Sequence, residues 1–222
     1  MEGLLLAVTA VIVTYNSEQV IISCMEALTR MAPQVSTLVV DNASSDRTVD
    51  LVRTGNGAKL IANERNRGFA AAVNQGVREA ADGDFILLLN PDAQLLTEID
   101  PLVESASRDG LAAGRLVDAA GNTQAGFTIR RFPTPLSLAL ELLGINRLWP
   151  SNRVNRAYRY LDRDLHQPGP VEQPAGAFLM FRRDVWDKLR GWDEQYWPVW
   201  FEDVDFCRRA IAAGYQIAYV PT

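Results

Sequence analysis

Ala10-Val11-Ile12-Val13-Thr14-Tyr15-Asn16 is an apolar run that stops in a polar cluster. The pattern recurs twice. Leu38-Val39-Val40 stops at Asp41-Asn42, and Phe85-Ile86-Leu87-Leu88-Leu89 stops at Asn90-Pro91-Asp92. Continuous runs rich in Val, Ile and Leu read as strands buried on both faces. Helical patterns lie between them, so the strands are expected to be parallel. The carboxyl ends of a parallel sheet share one edge, where ligands of open α/β sheets bind. Asn16, Asp41 and Asp92 are therefore expected beside one crevice, and two of the three are acids.

Outward from these runs, strands are predicted over 8–14, 36–40, 59–61, 85–89, 176–181 and 215–220. Helices are predicted over 17–30, 48–52, 68–81, 101–107, 136–143, 184–189 and 202–213. Pro33 stops the first helix, Asp82-Gly83 ends the third and Gly214 caps the last. Leu116 to Asn122 suggests a strand entering a hairpin turn. The whole, 1–222, reads as one α/β domain of mostly parallel sheet flanked by helices. Residues 133–170 break the pattern and read as a flap or insertion. There an apolar helix, Leu136 to Leu143, precedes Arg147, Arg153, Arg156, Arg159 and Arg163. Such a stretch suits a membrane surface; the alternative is a solvated face whose arginines pair with Asp162 and Asp164.

The 222 residues are 48% hydrophobic, enough for a sizeable core, and carry a net charge of -5, which argues against a nucleic-acid partner. Cys24 and Cys207 form no CxxC and read as reduced, structural thiols of a cytosolic protein. The apolar start, Gly3 to Val8, lacks a basic flank and runs into the first strand, so it does not read as a signal peptide. No run approaches the roughly 20 apolar residues of a membrane span.

Several chemistries drop out. The first strand-to-helix turn, Thr14 to Glu18, has no glycine, so the dinucleotide fingerprint is absent there. There is no GxxxxGK[ST] and no GxSxG, and the one histidine, His166, sits in a Pro/Gly-rich loop. Carboxylates and amides remain at the sheet edge. They suit a hard divalent cation, a diphosphate held by it, and acid–base work.

The ordered set of motifs resembles family 2 glycosyltransferases of the GT-A fold. It comprises Val11 to Asn16, Val39 to Asp46, Asn66-Arg67-Gly68-Phe69 with Asn74-Gln75-Gly76, and Leu89-Asn90-Pro91-Asp92-Ala93. Gly176 to Met180 and Phe201-Glu202-Asp203-Val204-Asp205 complete it. The Asn-Pro-Asp form is similar to that of bacterial rhamnosyltransferases. In the family the pattern continues past the last strand to a histidine, often a further metal ligand. The resemblance therefore implies either that the C-terminal end of the domain is missing here or that the chain works with a reduced metal site.

The resemblance also implies roles. Asp41 would accept the N3–H of uracil or thymine; alternatively it is a turn or N-cap residue. Thr14, Tyr15, Asn16 and Asn42 would line the nucleotide. Asn90-Pro91-Asp92 stands where the family has Asp-x-Asp, so Asp92 would ligate Mg²⁺ or Mn²⁺ while Asn90 replaces the first acid. A plain β-turn is the alternative. Arg67 and Gly68 would bring the start of a helix close to the nucleotide, with Asn74 reaching the sugar; close helix–sheet packing explains the same small residues. Asp203 would be the general base, with Gly176, Ala177, Trp200 and Glu202 lining the sugar and acceptor pocket. Helix-dipole stabilisation alone would also place Glu202 and Asp203 at a helix start.

The expectation is an inverting glycosyltransferase using a dTDP- or UDP-sugar, with rhamnose one candidate. Its acceptor would be a hydroxyl of a polysaccharide or lipid-linked glycan. It would be cytoplasmic, with peripheral association at the inner face of the plasma membrane. A non-catalytic nucleotide-sugar-binding fragment is the competing reading. A sugar nucleotidylyltransferase would need a Gly-rich basic loop after the first strand, which Thr14 to Val20 lacks.

Overall fold

Strand β1 (Val8–Thr14) is buried along its whole length, as a continuous apolar run requires. The computed structural model describes residues 7–55, 57–80 and 83–221. In chain order there follow α1 (Ile21–Met31), β2 (Ser36–Asp41), α2 (Thr48–Thr54), β3 (Lys59–Ala62), α3 (Phe69–Glu79), β4 (Phe85–Leu89), α4 (Asp100–Asp109) and β5 (Gly110–Gly114). Next come β6 (Ile129–Arg130), α5 (Pro135–Leu142), α6 (Ile145–Leu148), α7 (Arg153–Tyr158), β7 (Gly169–Pro170) and β8 (Gln173–Pro174). The chain finishes with β9 (Phe178–Arg182), α8 (Arg183–Leu189), α9 (Glu202–Ala212) and β10 (Gln216–Val220).

An eight-stranded sheet runs β3-β2-β1-β4-β9-β5-β10-β7, and β6 pairs with β8 apart from it. The pairs among β3, β2, β1 and β4 are parallel, as expected. β9 is the main exception, antiparallel to both β4 and β5. The chain leaves β5 at the edge where β4 ends and enters β9 from that same edge, so no crossover turns the strand round. Phe178 thus lies level with Leu89, and the residues just before β9 reach the end of β4.

Successive strand residues face opposite sides of the sheet. Val11, Val40 and Leu88 pack with α3, Trp192 and Phe206 on one side. Ile12, Val39 and Leu87 pack with Ile21 and Leu28 of α1 on the other. The alanines of α3 reflect a close approach: a Cβ on Gly76 would meet Val11 Cγ1 at 2.5 Å.

Three expectations change. α1 begins at Ile21, because Val20 and Ile21 N–H both donate to the Ser17 carbonyl in a preceding turn. The hairpin at 116–122 reduces to one bridge, Val117 to Thr123, around a turn closed by the Asp118 carboxylate. The strand in that region is β5, whose Gly-Leu-Ala-Ala-Gly sequence carries no β-branched residue. It is selected by packing, since a Cβ on Gly114 would lie 2.0 Å from the Phe178 ring. Gly3 to Leu6, Ala81 and Asp82, which carried expectations above, lie outside the described residues.

Candidate active site

The ends of β1 and β2 meet in register at Thr14 and Asp41. Asp41 is buried. Its Oδ1 accepts from Thr14 Oγ1 at 2.8 Å and Ser44 Oγ at 2.5 Å, and its Oδ2 from Ser44 N–H at 2.9 Å. Ala43, at φ 68°, makes this tight turn. The turn role is thus present in full, and Oδ2, which accepts one bond, keeps room for a second donor. Asn16 also sits in the left-handed region, at φ 52°, where Asn is tolerated. Its Oδ1 accepts Ser45 N–H at 2.9 Å and its N–H donates to Ser44 Oγ at 2.8 Å. Tyr15 is exposed.

Asn42, also buried, fixes the loop that leads to α3. Its Oδ1 accepts Arg67 N–H at 3.0 Å, and its Nδ2 donates to Gly68 O at 3.2 Å and Asn66 Oδ1 at 3.0 Å. The Arg67 side chain remains exposed. At Gly68, φ is 86° and a Cβ would lie 2.7 Å from Trp197 Cδ1. Glycine is needed there for the backbone and for the indole. Asn74, on α3, bonds the 192–194 loop. It is buried, its Nδ2 donates to Trp192 O and Glu194 Oε1, and its Oδ1 accepts Trp192 N–H. Both Nδ2 donations and the one bond that Oδ1 accepts go to the 192–194 loop.

At the end of β4, Asn90 N–H donates to Ala177 O at 2.9 Å, joining the Asn-Pro-Asp turn to the approach of β9. Asp92 is exposed and has no hydrogen bond or salt bridge among the described residues. Burial, with the nearby Asp92 charge, pushes the Cys24 thiol up to about 12. Both cysteines are buried and free. No cluster of three or more His, Cys, Asp or Glu is set to hold a metal among the described residues. A free carboxylate does fit the way Mg²⁺ is commonly held, by one or two carboxylates plus substrate phosphates. Asp92 is that carboxylate.

A cavity of about 350 Å³ opens beside these strand ends. Asn90, Gly176, Ala177, Trp200, Glu202 and Asp203 line it, all anticipated from sequence. Arg130, Tyr158 and Gln173 line it as well and were not anticipated. They stand on β6, α7 and β8, short elements that carry no motif; the one signal was Gln173-Pro174 just ahead of Gly176. Asp203 Oδ2 accepts Gly176 N–H and Gln173 Nε2, each at 3.3 Å, and its Oδ1 accepts Val204 N–H at 2.7 Å. Burial holds the Asp203 carboxyl above the ordinary aspartate range, against these hydrogen bonds and the Arg130 charge. Trp200 and Phe201, just before α9, hold φ of 104° and 71°, conformations rarely kept without compensation. Trp192 is core, stacked on Phe206 and edge-on to Phe69. Asp205 pairs with Arg209 at 2.7 Å.

Glu202 is only 4% exposed and its Oε2 has no hydrogen-bond partner. Burial raises its pKa, and the Asp203 charge adds to that. A carboxyl raised on folding stabilises the fold most below its unfolded pKa, and that stability is lost as pH rises through the folded value. Glu202→Gln is therefore expected to raise stability at pH 7 to 8 by about 1–2 kcal/mol. Urea denaturation should show the gain shrinking as pH falls through the raised folded value, and absent below the roughly 4.3 of a free glutamate. An equal gain at every pH would assign it to packing instead.

Residues 9–190 match the protein family described as Glycosyl transferase family 2, and residues 159–222 match one described as the N-terminal domain of galactosyltransferase. The N-acetylglucosaminyl-diphospho-decaprenol L-rhamnosyltransferase of Mycobacterium tuberculosis is 30% identical over 203 residues, covering 85% of this chain and 64% of that protein. The chain thus spans less than two thirds of that relative's length. Rhamnosyltransferase WbbL of Escherichia coli is 27% identical over 95% of this chain and 79% of its own. Among solved structures, GalNAc-T7 with UDP, GalNAc and Mn²⁺ superposes with a TM-score of 0.71 at 16% identity, covering 99% of this chain and 43% of that one. The mannosyltransferase PcManGT of Pyrobaculum calidifontis, with GDP-Man and Mn²⁺, gives 0.64 at 18% identity, covering 96% and 54%. These two share the GT-A fold with it, and the chain belongs to glycosyl transferase family 2.

Proposed function

We propose that the chain is an inverting glycosyltransferase domain. It moves a sugar, rhamnose being the first candidate, from a dTDP- or UDP-linked donor to a glycan hydroxyl. The observation that carries this reading is Asp203: a carboxylate on the wall of a cavity beside the strand ends, buried enough to hold a proton more firmly than usual. The acceptor hydroxyl gives its proton to Asp203 as its oxygen attacks the anomeric carbon. The new C–O bond forms on the face opposite the diphosphate, the old C–O bond breaks, and the electron pair leaves with the nucleoside diphosphate. A divalent cation, when bound, offsets the charge on that leaving group. Asp92 would hold the cation, and Asn90 would contact the donor near it. Asp41 reads the imide N–H of the base, with Thr14, Tyr15, Asn16, Asn42, Arg67 and Gly68 around the nucleotide. Trp200, Glu202, Gly176 and Ala177 shape the acceptor side. The mycobacterial relative's name specifies a lipid diphosphate acceptor, and a lipid-linked glycan at the inner face of the membrane is the acceptor class proposed here.

Calorimetry with dTDP and UDP, with and without Mn²⁺, tests the donor half and needs no acceptor. Metal-strengthened binding is expected, and Asp41→Ala should weaken it roughly tenfold or more, the worth of a charge-assisted hydrogen bond. GDP should bind less well than either. Unchanged affinity in a folded Asp41→Ala protein would remove Asp41 as the base reader.

A further inference from the structure

The 135–158 segment is built inside out. Its buried residues are polar: Ser137, Asn146, Asn152 and Asn155. Its exposed ones are large and apolar: Leu136 at 57%, Leu142 at 88%, Leu143 at 70%, Leu148 at 86% and Trp149 at 62%. The inversion is held by directed bonds. Thr134 and Ser137 close a capping box on α5. Asn152 donates to Asn146 at 3.0 Å, and Asn146 donates to Glu141 at 2.7 Å. Single exposed leucines are ordinary, but five large apolar side chains exposed within fourteen residues of α5 and α6 mark a surface made for something other than water.

Charge identifies what covers it. Four arginines and one glutamate lie between 135 and 158 and at 159, on a chain of net charge -5. The expected pairing of these arginines with Asp162 and Asp164 does not occur. Asp162 pairs with Arg131, and Glu141 pairs with Arg159. Arg147, Arg153 and Arg156 are exposed and form no salt bridge among the described residues. A second copy docking through the same face would set these cations against one another. An anionic bilayer complements them, accepts the leucines among its acyl chains, and suits Trp at the headgroup level.

We infer that the α5–α6 face, with Arg147, Arg153 and Arg156 at its border, docks the protein on an anionic lipid surface. This deepens the proposed function, since a lipid-linked acceptor is presented at such a surface. No helix among the described residues is long and apolar enough to cross a membrane, so the contact is interfacial.

The test is co-sedimentation of the full chain with phosphatidylcholine vesicles, with and without phosphatidylglycerol. Binding is expected only with phosphatidylglycerol, and it should weaken as salt rises. Arg147→Glu/Arg153→Glu/Arg156→Glu should reduce partitioning by roughly a hundredfold or more, the loss of three basic side chains near the surface. Leu142→Ser/Leu143→Ser/Leu148→Ser should do the same while leaving the circular dichroism unchanged, because these side chains are exposed. No binding to phosphatidylglycerol vesicles overturns the inference. So does binding that neither variant weakens, or a wild-type dimer that the leucine variant abolishes without any vesicle binding. Nucleotide affinity measured on the same variants separates the two ideas: failure of the docking surface leaves it intact, and failure of the donor reading shows in the wild type.

Discussion

Asp203→Asn is expected to cut sugar transfer roughly a thousandfold, the usual worth of a general base, with donor affinity unchanged. The amide is nearly the same size, so the cavity keeps its shape. The amide has no basic oxygen able to take the acceptor's proton. It also cannot satisfy its neighbours fully: Gly176 N–H, Gln173 Nε2 and Val204 N–H all donate toward the carboxylate, and one amide oxygen replaces two. A modest stability change is therefore expected beside the large kinetic one, and the two are separated by measuring each. The pH dependence gives an independent check. The base acts when ionised, and burial raises its pKa, so the acid limb of kcat/KM should lie above the roughly 3.9 of a free aspartate. Activity should fall as pH drops through that raised value. Full transfer by a folded Asp203→Asn protein would remove Asp203 as the base; an acid limb at the ordinary aspartate position would contradict its buried setting.

Where the chemistry depends on strand ends, sequence was a good guide. β1, β2 and β4 are long apolar runs buried on both faces, so their ends, and the polar residues there, could be placed from pattern alone. Legibility failed where tertiary packing chose the residues. β5 is made of glycine, leucine and alanine because the Phe178 ring lies across it. Its pairing is long-range and leaves no local signature. The direction of β9 depended on which edge the chain occupied after β5, again a global fact. The cavity residues Arg130, Tyr158 and Gln173 were missed because two-residue strands and a six-residue helix have no periodicity to detect. The polar residues that were singled out divide by environment. Asp92, Tyr15 and Arg67 are exposed, whereas Asp41, Asn42 and Asn74 spend their hydrogen bonds on the protein itself. Sequence gives the residue type; only packing tells whether its polar atoms are already used.

Asn74 shows what that distinction costs. It reaches 118 residues along the chain to hold Trp192 by both backbone groups, with Trp192 N–H at 2.9 Å from its Oδ1 and Trp192 O at 2.9 Å from its Nδ2. Gly191 lets the two approach, since a Cβ there would lie 2.7 Å from the Asn74 oxygen. Asn74→Ala leaves a buried donor and a buried acceptor without partners, each costing about 1–3 kcal/mol. A loss of about 3 kcal/mol is therefore expected, seen as a lower urea midpoint at unchanged slope. The held segment leads through Trp197, whose indole rests on Gly68, into the strained turn at Trp200–Phe201 and then to Glu202 and Asp203. Loosening its start shifts the base relative to the donor, so kcat should fall roughly tenfold or more while donor affinity holds. Asn74→Asp sharpens the result: its carboxylate still accepts from Trp192 N–H but cannot donate to Trp192 O, and it faces Glu194 with like charge. It should be as unstable as the alanine variant at pH 8 and partly recovered at pH 4, where a carboxyl can donate. If Asn74 instead touched the donor sugar, both variants would lose donor affinity at full stability, and the clamp would not be its role.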